Sequence, residues 1–209
     1  MTRKKTTPPQ FRVLSPHDYR PMKWKNGLGE TQEIAIDTQS PFRWRLSSAS
    51  VVSSSAFSVY TGYDRHFVVV EGGPLSLSVK GGDARVLPQR EVYCFSGDIE
   101  HQAILKQPCR DLNLFCDRKT TTGSLHIARY RGKEEVQLPY QGDEHFVFCI
   151  DGEVEYLDPN SDQTGQFSAG QTLWITRPAE VNLLNLRTCG ITPSAHVAWA
   201  VVSFKSPLI

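Results

Sequence analysis

Apolar and polar residues alternate along most of this chain with a period of two, as in strands whose two faces meet different surroundings. In Phe42-Arg43-Trp44-Arg45-Leu46-Ser47, the residues Phe42, Trp44 and Leu46 share one face, and Arg43, Arg45 and Ser47 the other. Leu75, Leu77 and Val79 alternate with Ser76, Ser78 and Lys80 before a turn at Gly81-Gly82-Asp83. In Asp111-Leu112-Asn113-Leu114-Phe115 the Asp and Asn lie opposite the two leucines. Further short strands are predicted at 91–95, 102–105, 124–130, 154–157, 167–175 and 197–204. No stretch carries the apolar spacing of an amphipathic helix of three turns. Many short strands separated by Gly, Pro and Asp turns predict an all-β sandwich or barrel.

Two stretches repeat one another. Gly62-Tyr63-Asp64-Arg65-His66-Phe67-Val68-Val69-Val70-Glu71-Gly72-Gly73 returns as Asp143-Glu144-His145-Phe146-Val147-Phe148-Cys149-Ile150-Asp151-Gly152-Glu153. Each copy reads as a strand entered through charged residues and left by a glycine turn. Aligning Asp64-x-His66-Phe67-Val68 on Asp143-x-His145-Phe146-Val147 leaves one extra residue before the second glycine. The duplication predicts two β-barrels in tandem. The expected division is a tail over 1–10, a first barrel over 11–118 and a second over 119–209, with the polar segment 117–123 as the boundary.

With 39% hydrophobic and 22% charged residues over 209 positions, the composition is that of a globular protein. A net charge of +1 offers no electrostatic case for a nucleic-acid or anionic-membrane partner. No apolar run approaches the roughly 20 residues of a membrane-spanning helix. Arg3, Lys4 and Lys5 have no hydrophobic stretch behind them, unlike a secretory signal. The cysteines at 94, 109, 116, 149 and 189 are odd in number and form no CxxC pair. Cys94 and Cys149, inside apolar runs, are expected as buried free thiols, which fits a reduced, cytoplasmic protein. Exposed edge strands permit a homodimer.

Candidate chemistry concentrates in the first half. Trp24, Asn26, Glu33, Arg45, Asp64, Arg65, Glu71, Asp111 and Asn113 can line one end of the first barrel. A planar guanidinium suits a carboxylate, amide and carboxylate acceptors suit an amine or imidazole, and Trp offers a stacking surface. Each residue also has a structural alternative: Asp64 with Arg65 as a turn-locking ion pair, Glu71 as a cap on Gly72-Gly73, and the arginine face as a solvated one. A second arrangement is a metal site. Asp64-x-His66 followed by Glu71, with His101 as a later ligand, has the spacing many metal-binding barrels use, with Asp in place of the first His. Strand alternation puts His66 and Glu71 on opposite faces unless a bulge intervenes, so ordinary polar strand ends are favoured over a metal, and no cofactor is expected. No Gly-x-Ser-x-Gly elbow, P-loop or dinucleotide-binding glycine motif occurs, so binding is favoured over catalysis.

Residues 145–175, read as strand, glycine turn, strand, loop and Ala169-Gly170-x-x-Leu173-x-Ile175, resemble the core hairpins of a cupin barrel. The first half carries five motifs in order. They are Trp24-x-Asn26-Gly27-x-Gly29-x-Thr31-x-Glu33-Ile34, Trp44-Arg45-Leu46-Ser47-x-Ala49, Phe57-Ser58-x-Tyr60-x-Gly62-x-Asp64-Arg65, Glu71-Gly72, and Asp111-Leu112-Asn113-Leu114. Their order and spacing resemble the HutD/Ves family over residues 11–118. Gln32 and Phe115 depart from it, standing where the family often has Arg and Met. The resemblance implies a single-chain bicupin of tandem double-stranded β-helix barrels. It also implies a modulator that binds a metabolite of histidine utilisation, such as urocanate or formylglutamate, or one that acts in a stress response. No reaction is firmly assigned to the family; the alternative is a metal-dependent dioxygenase or isomerase using Asp64, His66, Glu71 and His101.

Overall fold

The computed structural model describes residues 9–24, 29–79, 82–132, 135–140, 142–176, 182–189 and 192–205. No helix occurs among them. The first strands in chain order are β1 (Gln10–Leu14), β2 (Arg20–Lys23), β3 (Gly29–Ile36), β4 (Trp44–Val51), β5 (Ser55–Ala56), β6 (Tyr63–Gly72), β7 (Leu75–Val79), β8 (Arg85–Leu87), β9 (Val92–Ser96), β10 (His101–Leu105) and β11 (Cys109–Asp117). The rest are β12 (Thr121–Arg131), β13 (Val136–Tyr140), β14 (Glu144–Asp151), β15 (Glu153–Asp158), β16 (Gln163–Ser168), β17 (Thr172–Thr176), β18 (Asn182–Thr188) and β19 (Ser194–Phe204). The all-β expectation holds.

The chain divides into two compact units. Barrel 1 is Pro16–Leu125 with Lys205–Ile209, and barrel 2 is Met1–Ser15 with His126–Phe204. Barrel 1 pairs a six-stranded sheet, β2-β3-β4-β11-β6-β9, with a four-stranded one, β5-β10-β7-β8. Barrel 2 repeats the plan with β1-β17-β14-β19-β12 and β13-β18-β15-β16. Inside barrel 1, Val51, Phe57, Phe67, Val69, Leu75, Leu77, Leu87, Ala103 and Cys109 form one buried cluster. Each large side chain of this kind contributes about 1.5–3 kcal/mol by leaving water. The opposite face of the large sheet, with Trp44, Leu46, Val68, Leu112 and Leu114, is buried as well.

Two boundaries differ from the expectation. Residues 10–14 do not belong to the first barrel, because β1 pairs antiparallel with β17, Gln10 opposite Thr176 through Leu14 opposite Thr172. The polar segment 117–123 is a tight turn rather than a linker. The Asp117 carboxylate accepts hydrogen bonds from the Thr120 hydroxyl (2.6 Å) and the Lys119 amide (3.2 Å). It turns β11 into β12, and the units divide inside β12, between Leu125 and His126.

The repeated motif occupies equivalent places, β6 and β14, but the equivalence is shifted by one residue. In β6 the pairing with β11 jumps from Glu71 to Val69, leaving Val70 as a bulge. In β14 the pairing with β19 jumps from Cys149 to Asp151, leaving Ile150 as a bulge. Bulge and turn glycine therefore match Val70 with Ile150 and Gly72 with Gly152. Arg65 then corresponds to His145, and His66 has no histidine counterpart. The Asp-x-His-Phe-Val alignment is thus a sequence coincidence one residue out of structural register, and a one-residue slip inverts every facing.

Gly72 is left-handed (φ 68°), and a Cβ there would lie 2.3 Å from the Pro108 carbonyl oxygen. Gly132 is also left-handed (φ 58°) but opens onto free space. Gly132→Ala should therefore cost about 1 kcal/mol of backbone strain and Gly72→Ala about 3 kcal/mol, because a clash adds to the strain. Urea unfolding of the two variants checks this, with equal midpoints contradicting it.

Candidate functional site

Strand pairing sets three rows of side chains on the inner face of the large sheet of barrel 1. Arg45, Phe115, Arg65 and Phe95 lie opposite one another across β4, β11, β6 and β9. Two residues along comes the row Glu33, Ser47, Asn113, Phe67 and Tyr93. The third is Thr31, Ala49, Asp111 and Val69. From these rows Arg45, Phe115, Arg65, Ser47, Asn113, Thr31, Ala49 and Asp111, with Met22, Trp24, Phe57, Ser58 and Tyr60, bound a cavity of about 540 Å³. Trp24 is held over it by its indole N–H donating to the Thr31 hydroxyl (2.8 Å) and its amide donating to the Gly29 carbonyl (3.0 Å). A Cβ at Gly29 would lie 2.9 Å from the Trp24 ring, so glycine there lets the indole seat.

Both arginines are packed on rings rather than on carboxylates. The Arg45 Cζ sits 4.4 Å from the Phe115 centroid, 5.1 Å from Tyr60 and 5.2 Å from Phe42. The Arg65 Cζ sits 4.6 Å from the same Phe115 ring, 4.8 Å from Phe95 and 5.1 Å from Phe57. Arg45 donates to the Tyr60 hydroxyl at 3.3 Å, and Arg65 donates weakly to the Ser58 carbonyl at 3.5 Å. Both Nε atoms are buried without a hydrogen-bond partner among the described residues, where neither guanidinium forms an ion pair. Burial pushes Arg65 down to about 10, which still leaves it cationic at neutral pH.

Asp111 and Asn113 face the same space. Asp111 is 3% exposed, and its Oδ1 and the Asn113 Oδ1 lack partners among the described residues. Burial pushes the Asp111 carboxyl up to about 7, against the opposing pull of the Arg65 charge and the Ala49 amide. An acid that holds its proton this high inside a cavity is a common mark of a functional site.

Of the nine expected residues, the structure brings five to this cavity: Trp24, Arg45, Arg65, Asp111 and Asn113. Asn26 lies outside the described residues. Glu33 is buried on the same face beside Ser47, where Arg20 binds it at 2.8 Å, and it does not line the cavity. Asp64 and Arg65 form no pair, because neighbours in a strand point to opposite faces. Asp64 instead binds Arg118 at 2.8 Å on the outer side. Glu71 is exposed and meets Arg110 at 3.5 Å rather than capping the Gly72-Gly73 turn, whose carbonyls accept from the Gln89 and Gln107 side-chain amides. Tyr60, Phe57 and Phe115 were not expected in the site. Phe115 could have been found, since it continues the Asp111, Asn113 alternation onto the same face.

The second arrangement, Asp64, His66, Glu71 and His101, is not gathered. His66 faces Cys94 at 3.1 Å on the outer side, so Cys94 is exposed there rather than buried as expected. His101 is buried against Phe95 at 4.4 Å. No group of three or more His, Cys, Asp or Glu among the described residues is placed to hold a metal ion. Barrel 2 has a hollow of about 630 Å³ on its small sheet. There Arg187 pairs with Glu155 at 2.6 Å, and none of the lining side chains carries a buried unpartnered atom among the described residues.

A family model described as HutD matches residues 16–191. The chain belongs to the HutD family. Over 109 residues it is 38% identical to an uncharacterised 21.2 kDa protein in the hutC 3′ region of Pseudomonas putida, covering 50% of this chain and 57% of that protein. Protein Ves of Citrobacter koseri matches over 109 residues at 31% identity, with the same coverage. The matches thus span little more than half the length of these relatives. A conserved protein of unknown function from Pseudomonas aeruginosa PAO1 superposes with a TM-score of 0.84 at 31% identity, over 93% of this chain and 99% of that one. A cupin 2 conserved barrel protein from Leptotrichia buccalis shares the fold at a TM-score of 0.56 and 8% identity, over 88% of this chain and 96% of its own. The protein is a cupin-type member of the HutD family, built as a bicupin.

Asp111 makes stability depend on pH in a defined direction. Unfolded, its carboxyl ionises near 3.8; folded and ligand-free, it keeps its proton up to about 7. Between these values the folded state binds more protons, so this group's contribution to stability is complete below about pH 4, falls as pH rises and levels off above about 7. Asp111→Asn should remove that slope and gain roughly 1–3 kcal/mol over the parent at pH 8. Urea unfolding across pH reads the difference between the two proteins, and parallel curves would contradict it.

Proposed function

We propose that this protein binds a small organic acid in the cavity of barrel 1 and acts as a metabolic modulator rather than as an enzyme. One observation carries the reading: two cationic guanidinium groups, Arg45 and Arg65, converge on a single ring with buried donors unused. Buried donors left unmade cost about 1–3 kcal/mol each, and a carboxylate is the group that a planar guanidinium binds best. The cavity volume of about 540 Å³ lies in the range of small-molecule sites.

Membership of the HutD family supports a metabolite of histidine breakdown, such as urocanate or formylglutamate, as ligand. It equally supports a role in modulating histidine utilisation; the likeness to Ves supports a stress response as the variant of that role. Five unpaired cysteines favour the reducing cytoplasm as its place of action.

Thermal unfolding with urocanate, formylglutamate, histidine and related acids tests the reading. A cognate acid at about 100 times its Kd adds about 2.7 kcal/mol, which raises Tm by about 5–10 °C. Arg65→Met and Arg45→Met should each weaken that acid at least about tenfold. No shift with any of these acids would refute the reading.

A further inference from the structure

Asp111 and a bound acid draw on the same cation. Asp111 is buried on the inner face of β11, opposite Ala49 and Val69, and its Oδ1 has no partner among the described residues. Arg65, two rows along, is the cation whose charge acts on it, and Asp111 is in turn the strongest attraction that Arg65 feels.

The other groups around Asp111 offer no substitute. Arg45 is held among Phe42, Tyr60 and Phe115, Lys23 is exposed, and Glu33 on β3 is paired with Arg20 at 2.8 Å. Two residues back on β11, burial and the Asp111 charge push the Cys109 thiol up to about 12. The facing small sheet brings Leu75, Leu77 and Ala103 to the cluster around Val69, and His101 onto Phe95 and Tyr93.

An acid whose carboxylate takes the Arg65 guanidinium cancels the charge that favours an ionised Asp111, and it expels water from the cavity. Both effects favour the neutral carboxyl. We infer that barrel 1 takes up its acid together with a proton, which is held on Asp111. This rests on the carboxylate-site reading above and adds a regulation by pH to it. Ligand-free, Asp111 holds its proton up to about 7; with the acid bound it holds it to a higher pH. Below about 7 both states are protonated and affinity is at its highest. As pH rises further the free protein loses the proton first, so affinity falls, and it levels off once the bound state has lost the proton as well.

Calorimetric titration of the full chain with formylglutamate and with urocanate tests it. Above about pH 7.5 the carboxylates of both acids are ionised and the urocanate imidazole is neutral. Phosphate and Tris differ in their heats of ionisation, so the difference in binding heat between them counts the protons taken up. At about pH 8, about 0.4 proton or more should enter with each acid, and affinity should fall about threefold or more from about pH 7.5 to 9. Asp111→Asn should abolish the uptake and flatten the affinity over that range. Binding by the parent without uptake overturns the coupling and leaves the carboxylate site standing. Uptake that persists in Asp111→Asn overturns the assignment to Asp111. Should Asp111→Asn bind neither acid, NMR of the Asp111 carboxyl carbon in the parent at about pH 8 decides. That resonance should move to its protonated position when acid is added, and an unmoved resonance overturns the assignment. Failure of the parent to bind either acid overturns the carboxylate reading, and this inference with it.

Discussion

Two guanidinium groups resting on one phenyl ring, with no ion-pair partner among the described residues, set the terms for barrel 1. Taking a cation out of water costs several kcal/mol, and a desolvated cation–π contact returns about 2 kcal/mol. Hence each arginine has three rings within about 5 Å, and Phe115 serves both. The rings hold the charged heads without consuming their N–H groups. The apolar cluster of Phe57, Phe67, Leu75 and Leu77 supplies the rigidity such an arrangement needs. Asp111 fits the same logic: a neutral acid is cheaper to bury than a third charge, and burial holds its proton up to about pH 7.

Barrel 2 shows what the fold does without this constraint. Matching the bulges places His145 where barrel 1 has Arg65, Val197 where it has Asp111 and Trp199 where it has Asn113. His145 stacks on Trp199 at 5.3 Å, and Val147, Cys149, Leu173, Ile175 and Val197 join one filled core. The sheet plan is duplicated while the inner face is not. Barrel 1 keeps a charged guanidinium, a carboxyl and an amide where barrel 2 has His145, Val197 and Trp199.

Much of the site was legible from alternation alone. Arg45 and Ser47 lie opposite Trp44 and Leu46, and Asp111 and Asn113 lie opposite Leu112 and Leu114, as a period of two requires. The same rule separates Asp64 from Arg65, since adjacent residues cannot both enter a barrel. Reading them as one unit kept Asp64 in the site when it belongs to the Arg118 ion pair outside. Glu71 and Glu33 went astray differently. Their partners, Arg110 and Arg20, come from other strands, and no local pattern reveals them.

The amino-acid sequence by itself determined the all-β class, the duplication, the turns, the family and the inner face of most strands. These follow from side-chain period, glycine placement and motif order, which are local properties. Only the tertiary structure decided which inner face becomes a cavity, that β1 joins the sheet of barrel 2, and that β12 carries the division. It also decided the true register of the repeat, because each bulge consumes one residue and inverts the facing of everything before it. Strand partners and barrel closure depend on contacts between residues far apart in the chain, and their positions carry no fixed spacing to read.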